Sequence, residues 1–368
     1  MYHTDSHGNL TPPPGARVLV AMSGGVDSAV TAALLQEAGY DCIGVTMRLV
    51  PEPKEKSPFE PCCGLEAAED ARRVCERIGI PHEVLHAVDR FDRDIITNFV
   101  EEYVAGRTPN PCVRCNRMIK FGALYQKADA IGASHIAMGH YARLRMLGSR
   151  IALARPAHRP KDQTYVLAPL QQRQLARAYF PLGELTKAEV RQRALRLDFR
   201  TANKPESQEI CFVPQNDYRE VVEERAGKST PGPILSTRGE HLGEHTGLVH
   251  YTLGQRRGLG IAAPEPYYVV KLDSAQNAVI VGWREDTLTA AFDTHAVCWG
   301  GLTLQEHPFR ALVQVRSRHE PEWATVTPVP GGAHVELDQP QPSVTPGQWA
   351  VFYDEAGHVL ASAMIRKI

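Results

Sequence analysis

The run Ala21-Met22-Ser23-Gly24-Gly25-Val26-Asp27-Ser28 combines residue types suited to holding a phosphate. Gly24 and Gly25 let the backbone approach an anion closely, and Ser23 and Ser28 bring hydroxyl donors beside the exposed amides of a following helix N-terminus. The loop lacks the lysine of a GxxxxGK[ST] motif, which speaks against a Walker-type triphosphatase. The thiols suggest a second chemistry. Of the cysteines, Cys112 and Cys115 lie three residues apart and Cys211 follows much later. In a chain of this size in a reducing compartment, clustered cysteines point to a metal or to sulfur chemistry rather than to a disulfide scaffold. Cys42, Cys75 and Cys298 sit in apolar or amphipathic runs and read as packing residues, and the adjacent Cys62 and Cys63 as structural or incidental.

Each of these groups needs an element to position it. The apolar residues 18–20 read as a strand and 29–38 as an amphipathic helix, which puts the glycine loop at a strand-to-helix turn. Further strands are expected at 41–47, 83–86 and 135–138, alternating with helices at 65–78, 93–104 and 121–130. That alternation predicts a parallel sheet with helices on both faces, and ligands in such sheets bind at the carboxyl ends of the strands. Residues 51–61, rich in Pro, Lys and Glu, read as a mobile loop above the site. Another helix is expected at 187–197. Beyond about 215, Gly/Pro turns separate short strands, and runs at 311–315, 323–326, 334–337 and 348–353 predict a small antiparallel β-barrel. The expected division is a flexible tail (1–16), an α/β nucleotide-binding domain (17–215), a small β-rich linking domain (216–290) and a C-terminal β-barrel (291–368).

At 368 residues the chain has room for two or three cores, and no apolar run is long enough to span a bilayer. With no signal-like N-terminus either, the expectation is a cytoplasmic protein with no membrane partner. The formal net charge of −1 says nothing for or against nucleic acid, so local distribution matters more. Arg143, Arg145, Arg150, Arg155, Arg159 and Lys161 precede the first acid, Asp162, and Arg191, Arg193, Arg196 and Arg200 follow. This run reads either as a phosphate-binding face or as a solvated basic surface.

The SGG-x-DS loop resembles that of the PP-loop ATP pyrophosphatases, which split ATP between its α and β phosphates and adenylate a substrate oxygen. Longer stretches narrow the resemblance: Gly106-Arg107-Thr108-Pro109-Asn110-Pro111-Cys112-Val113-Arg114-Cys115-Asn116, then Gly139-His140-Tyr141-Ala142-Arg143, then Lys161-Asp162-Gln163-Thr164-Tyr165. Ser207-Gln208-Glu209-Ile210-Cys211-Phe212 and Tyr251-Thr252-Leu253-Gly254-Gln255-Arg256-Arg257-Gly258-Leu259-Gly260 complete it. From Arg17 onward, the chain resembles the bacterial tRNA-specific 2-thiouridylases. Enzymes of that family replace the C2 oxygen of the wobble uridine with sulfur in tRNAs for lysine, glutamate and glutamine.

The resemblance implies roles residue by residue. ATP would lie against the loop from Ala21 to Ser28, Met47 and Gly139, with Asp27 helping to organise Mg2+ and pyrophosphate; Met47 taken alone reads equally as a core methionine. Asn110, Pro111 and Cys112 would hold the target base flipped from the anticodon loop. His140, Lys161, Asp162, Gln163, Arg318, His319 and Gln348 would contact the tRNA, and His319 stands where tyrosine is commoner, so stacking there would be weaker. Sulfur would ride as a persulfide on Cys211, and Cys115 would attack it to release sulfide or to close a disulfide. The sulfur donor implied is a cysteine desulfurase, directly or through relay proteins. One departure matters: Cys112 replaces an aspartate of the family's D-x-x-C motif. Three thiols, Cys112, Cys115 and Cys211, could therefore ligate three irons of a [4Fe–4S] cluster whose fourth iron holds a sulfide. The persulfide route with Cys112 as a spare, or a zinc site, are the alternatives. A PP-loop ligase adenylating a small-molecule amide or carboxylate is the competing function, though it needs no paired cysteines. A tRNA-binding protein without catalysis would have no use for an intact phosphate loop.

Overall fold

Val18, Leu19 and Val20 are all fully buried. Consecutive side chains of a strand point to opposite faces, so such a strand must lie between two covering layers. In the computed structural model, which describes residues 2–51, 64–205, 210–213 and 217–367, these residues form the central strand of a parallel sheet. In chain order the N-terminal unit runs β1 (Arg17–Ala21), α1 (Val26–Glu37), β2 (Asp41–Arg48), α2 (Leu65–Ile78), β3 (His82–His86), α3 (Thr97–Val104), α4 (Pro111–Cys115), α5 (Ala123–Ala130) and β4 (His135–Ala137). A hairpin, β5 (Arg143–Leu147) and β6 (Arg150–Ala154), then leads to β7 (Ala178–Tyr179) and α6 (Lys187–Arg196). The expected loop at 51–61 and Cys62 and Cys63 fall almost wholly outside the described residues, as do Ser207, Gln208 and Glu209.

The sheet order is β3-β2-β1-β4-β7, with Val18 opposite Cys42 on one side and opposite His135 on the other. The order reverses between β1 and β4, and the carboxyl ends of those two strands therefore splay around a crevice. Side-chain alternation sorts two cores. Leu19, Val45 and Ile136 pack with Phe99, Val100 and Leu124 on one face. Val18 and Val20 pack with Ala29, Ala33, Val74 and Val190 on the other.

Three details depart from the sequence pattern. The helix expected at 93–104 is not uniform: a wider π-type turn, Asp92–Ile96, precedes α3. The fifth strand is only two residues long, too short to leave a periodic signal. Residues expected as a loose tail are folded back instead: His3–Thr4 pairs with Leu10–Thr11, and Leu10 is 3% exposed. The amide of Asn9 donates to Asp5 and to Glu184, which fastens this ribbon to the α/β unit.

The middle unit contains α7 (Tyr218–Ala226) and four strands, β8 (Gly232–Ser236), β9 (His241–His245), β10 (Tyr268–Asp273) and β11 (Ala278–Gly282), in the order β9-β8-β11-β10. Its small core is built on Ile234, Val269, Val279 and Val281. The stacked rings of Tyr103 and Tyr218, 4.4 Å apart, seat α7 on α3. The last six strands are β12 (Leu288–Trp299), β13 (Phe309–Gln314), β14 (Glu322–Val329), β15 (Gly332–Pro342), β16 (Trp349–Tyr353) and β17 (Val359–Lys367). They close into the expected antiparallel barrel in the order β12-β15-β14-β13-β16-β17, and closure leaves no open sheet edge. Among the described residues no helix is long and apolar enough to cross a membrane.

Candidate active site

The loop after β1 is shaped by its glycines and closed by a serine. Gly24 has φ +69°, and a Cβ there would lie 2.3 Å from the carbonyl oxygen of Ala67, so only glycine fits. Gly25 caps α1. The Ser28 hydroxyl donates to the Gly25 carbonyl at 3.0 Å and accepts from the Ser23 amide at 3.2 Å. Ser28, expected as a donor toward a ligand, here holds the loop in shape. The side chains of Met22 and Val26 are buried in the core, which leaves only their backbone for a ligand. Gly139, just after β4, backs directly onto this loop: a Cβ there would lie 2.8 Å from the Asp27 carbonyl carbon. The loop and Gly139 thus meet at the point where the strand order reverses. Met47, at the end of β2, is 9% exposed and belongs to the core, in keeping with its plainer reading.

Asp27 is the charged centre of the crevice, with about a third of its side chain exposed (32%). The Lys187 ammonium donates to both of its oxygens, at 2.7 and 2.9 Å, and the Tyr141 hydroxyl donates to one at 2.9 Å. Neither partner was singled out in the sequence. Tyr141 belongs to the run Gly139-His140-Tyr141-Ala142-Arg143. Lys187 carried one signal, a lysine in the first turn of a helix whose dipole disfavours cations there. As a hard oxygen donor on the rim, the Asp27 carboxylate fits Mg2+. His140 is half-buried, its ring edge-on to Phe180, and its Nδ1 is buried without a hydrogen-bond partner. Burial, then the positive Lys120, push its pKa down to about 3, so the ring is neutral at physiological pH. The Gln163 side chain accepts from the Tyr141 amide at 2.9 Å, and Asp162 accepts from the amide and hydroxyl of Thr164 at 2.9 and 2.6 Å. Both residues, expected to face tRNA, already brace the chain around the crevice. Lys161 is half-buried in the short turn Arg159–Lys161 that precedes them.

The thiols occupy another part of the same unit. Asn110 caps α4 by accepting the Val113 amide at 3.3 Å, and Pro111 takes the first helical position, where its missing N–H costs nothing. Cys112 is exposed on this helix, whereas Cys115 is 7% exposed and packed in the core. Cys211 packs against the same core, and its neighbour Phe212 lies edge-on to Phe91 and Phe99. Among the described residues no three His, Cys, Asp or Glu side chains are grouped so as to hold a metal ion. Cys112 faces solvent while Cys115 is turned into the core.

The barrel reaches this region. The Gln348 amide donates to the Thr108 carbonyl at 2.8 Å, and the Thr108 amide donates to Pro346 at 3.1 Å. Between them Gly347, at φ +92°, leaves no space for a side chain, because a Cβ would meet the Thr108 oxygen at 3.1 Å. Beside this clamp lies a cavity of about 210 Å³ lined by Asn110, Pro111, Arg114, Arg117, Gly347 and Trp349. Gln348 thus acts on the backbone just before the cysteine helix. Arg318 is exposed and His319 half-buried; burial, then Arg316, lower the His319 pKa.

The basic run is largely consumed inside the protein. Arg143 donates to the Arg155 carbonyl and pairs with Glu184, and Arg150 donates to the Trp299 and Gly300 carbonyls of the barrel. Arg155 pairs with Asp162 at 3.2 Å and lies 4.1 Å over the Tyr353 ring. Neither of the two sequence readings of this run, phosphate face or solvated surface, describes these three arginines: Arg143 braces the α/β unit, and Arg150 and Arg155 tie it to the barrel.

Three family models match the chain in this same order. A tRNA methyl transferase HUP domain covers residues 16–215, a tRNA methyl transferase PRC-barrel domain 219–283, and an aminomethyltransferase β-barrel domain 289–365. With the glycine loop at the switch point, this defines a PP-loop protein of the HUP class. The chain is 50% identical to the tRNA-specific 2-thiouridylase of Moorella thermoacetica over 91% of its own length and 95% of that protein's. It is 48% identical to the one from Geobacter metallireducens over 94% and 95%, and 47% identical to the one from Symbiobacterium thermophilum over 93% and 90%. The chain belongs to the tRNA-specific 2-thiouridylase family.

Proposed function

We propose that this protein uses ATP to convert the C2 carbonyl of the wobble uridine in tRNAs for lysine, glutamate and glutamine into a thiocarbonyl. The uridine O2 attacks the α phosphate of ATP, and pyrophosphate leaves. The amides of the loop from Ser23 to Ser28 stabilise the phosphate charge, and Asp27 would hold a Mg2+ ion that would neutralise the rest. An amide-like oxygen leaves poorly from carbon, but once adenylated it departs with AMP. Cys211 carries the sulfur as a persulfide, supplied by a cysteine desulfurase or a relay protein. Its outer sulfur attacks C2 and expels AMP. The Cys115 thiolate then attacks the inner sulfur, forms a Cys115–Cys211 disulfide and leaves the outer sulfur on C2; an external thiol reductant restores both cysteines. Cys115 can alternatively attack the persulfide first and free the sulfide that reacts at C2. Asn110 and Pro111 line the 210 Å³ cavity that would receive the flipped base, with Cys112 next in the chain; His140, Lys161, Arg318, His319 and Gln348 are the proposed tRNA contacts.

The single observation that carries this reading is that one unit combines the phosphate loop, closed around Gly24, with Cys115 and Cys211 packed on a common core. The test is to incubate the protein with ATP, a persulfide donor and unmodified tRNA, and to measure AMP release and the nucleosides by mass spectrometry. The expected result is one AMP and one pyrophosphate per 2-thiouridine formed. ATP turnover without tRNA but with a small amide acceptor would establish the ligase alternative instead.

A further inference from the structure

The contact between Lys187 and Asp27 joins two helix N-termini, since Asp27 lies in the first turn of α1 and Lys187 opens α6. Thr186 and Glu189 form a reciprocal capping box around that start, so α6 would form without any contribution from the lysine. Lys187 is 9% exposed, among the few buried charged residues of the protein. Burial of an ammonium is costly without a paired charge, and the positive end of a helix dipole raises that cost further. A tie between α1 and α6 could be made as stably by apolar side chains. Val190, one turn further on, already packs against the α1 side of the sheet. Formation and packing of α6 therefore do not call for a positive charge at this position.

The surroundings give it a use. Asp27 is the more exposed member of the pair, 32% against 11% for Lys187, so the carboxylate opens to the crevice and the ammonium stands behind it. The Lys187 ammonium also lies 5.9 Å over the Tyr141 ring, while Tyr141 donates its hydroxyl to Asp27. Without a cation beside it, the Asp27 carboxylate would repel an arriving triphosphate. Building on the ATP-dependent reading above, we propose that Lys187 is an exchangeable counter-cation. It neutralises Asp27 while the crevice is empty. When nucleotide arrives with its divalent cation, Asp27 turns to the metal and the released ammonium moves onto the triphosphate, with Tyr141 keeping the carboxylate oriented through the exchange.

The test is calorimetric titration of the full chain with a non-hydrolysable ATP analogue across a range of Mg2+ concentrations, without tRNA or sulfur donor. At saturating Mg2+, Lys187→Met should bind the analogue about ten- to hundredfold more weakly, through loss of a charge-assisted contact. The Mg2+ concentration giving half-maximal binding should fall, because Asp27 no longer has to release an ammonium. Lys187→Arg, which keeps the charge, should recover part of the analogue affinity. Loss of analogue affinity with a higher Mg2+ requirement, or no change beyond twofold in either, would overturn the proposal by leaving Lys187 a structural tie. If Lys187→Met does not fold by thermal melting, Tyr141→Phe carries the test. It should raise the Mg2+ concentration giving half-maximal binding, because Asp27 loses the hydroxyl that orients it toward the metal, with saturating affinity unchanged; an unshifted midpoint overturns the exchange. Wild-type protein that binds no analogue would overturn the ATP-dependent reading itself; wild type and Lys187→Met binding it equally would overturn only the role of Lys187.

Discussion

The phosphate loop and the cysteine region lie in one α/β unit but are built in different ways. The loop is local: strand, glycine turn, helix and closing serine all fall between Arg17 and Glu37, with Ala67, Gly139, Tyr141 and Lys187 added from afar. The cysteine region is assembled from distance. Cys115 and Cys211 both pack on a core that includes Phe91, Phe99 and Phe212, and the chain entering α4 is clamped at Thr108 by Gln348, 240 residues away. A local site can hold its shape whatever the rest of the protein does. A site assembled from distance can respond to what docks on its remote parts, so we expect ATP binding and sulfur transfer to be separable by mutation.

The strongest break in this comparison comes from Cys211→Ser. Thiouridine formation should fall below detection in nucleoside mass spectrometry, while tRNA-dependent pyrophosphate release continues, because the phosphate loop is untouched. Loss of both would mean that the two regions act as one. Gln348→Ala is the next test. Releasing Thr108 should slow thiolation about tenfold by letting α4 drift, and should lower stability by about 1 kcal/mol for one hydrogen bond. Affinity for an ATP analogue should not change; a parallel loss would show that the clamp also supports the loop.

A smaller effect is expected at Arg155. Arg155→Ala removes the pair with Asp162 and the stacking on Tyr353 between the α/β unit and the barrel. It should destabilise by about 1–2 kcal/mol in denaturant unfolding, leaving the salt dependence of tRNA binding unaltered. A flattened salt dependence would make Arg155 a phosphate contact after all. A further effect, confined to acid pH, concerns His140. Its pKa lies at about 3 when folded against 6.5 for an ordinary histidine, so between those values the unfolded chain holds a proton that the folded one lacks. Its contribution to stability is therefore complete above pH 6.5 and is lost as pH falls toward 3. Melting temperatures of His140→Asn should depend less on pH across that window than those of wild type.

Much of this was legible in residues alone. The helix expected at 65–78 is α2 to the residue, because an amphipathic stripe ending in Gly79 at φ +73° carries both its face and its stop signal locally. The parallel sheet and the closing barrel likewise followed from strand periodicity and turn spacing. The two-residue β7 and the docking of the N-terminal ribbon had no such signature, since both exist through pairing with distant partners. The basic run shows the same limit. Arginines in sequence read as a charged face, and only the positions of Glu184, Asp162 and the barrel carbonyls turn them inward.

The sequence by itself determined the phosphate loop, because glycine conformations, a cap and a strand-to-helix turn are short-range properties of the residues involved. It also supplied the thiols and the family. Tertiary structure alone decided which charges meet. The pairing of Lys187 with Asp27, the separation of exposed Cys112 from buried Cys115, and the hold of Gln348 on Thr108 all depend on how the units pack. Burial and Coulomb interaction act through space, and a buried ammonium finds its carboxylate only after the helices carrying them have docked.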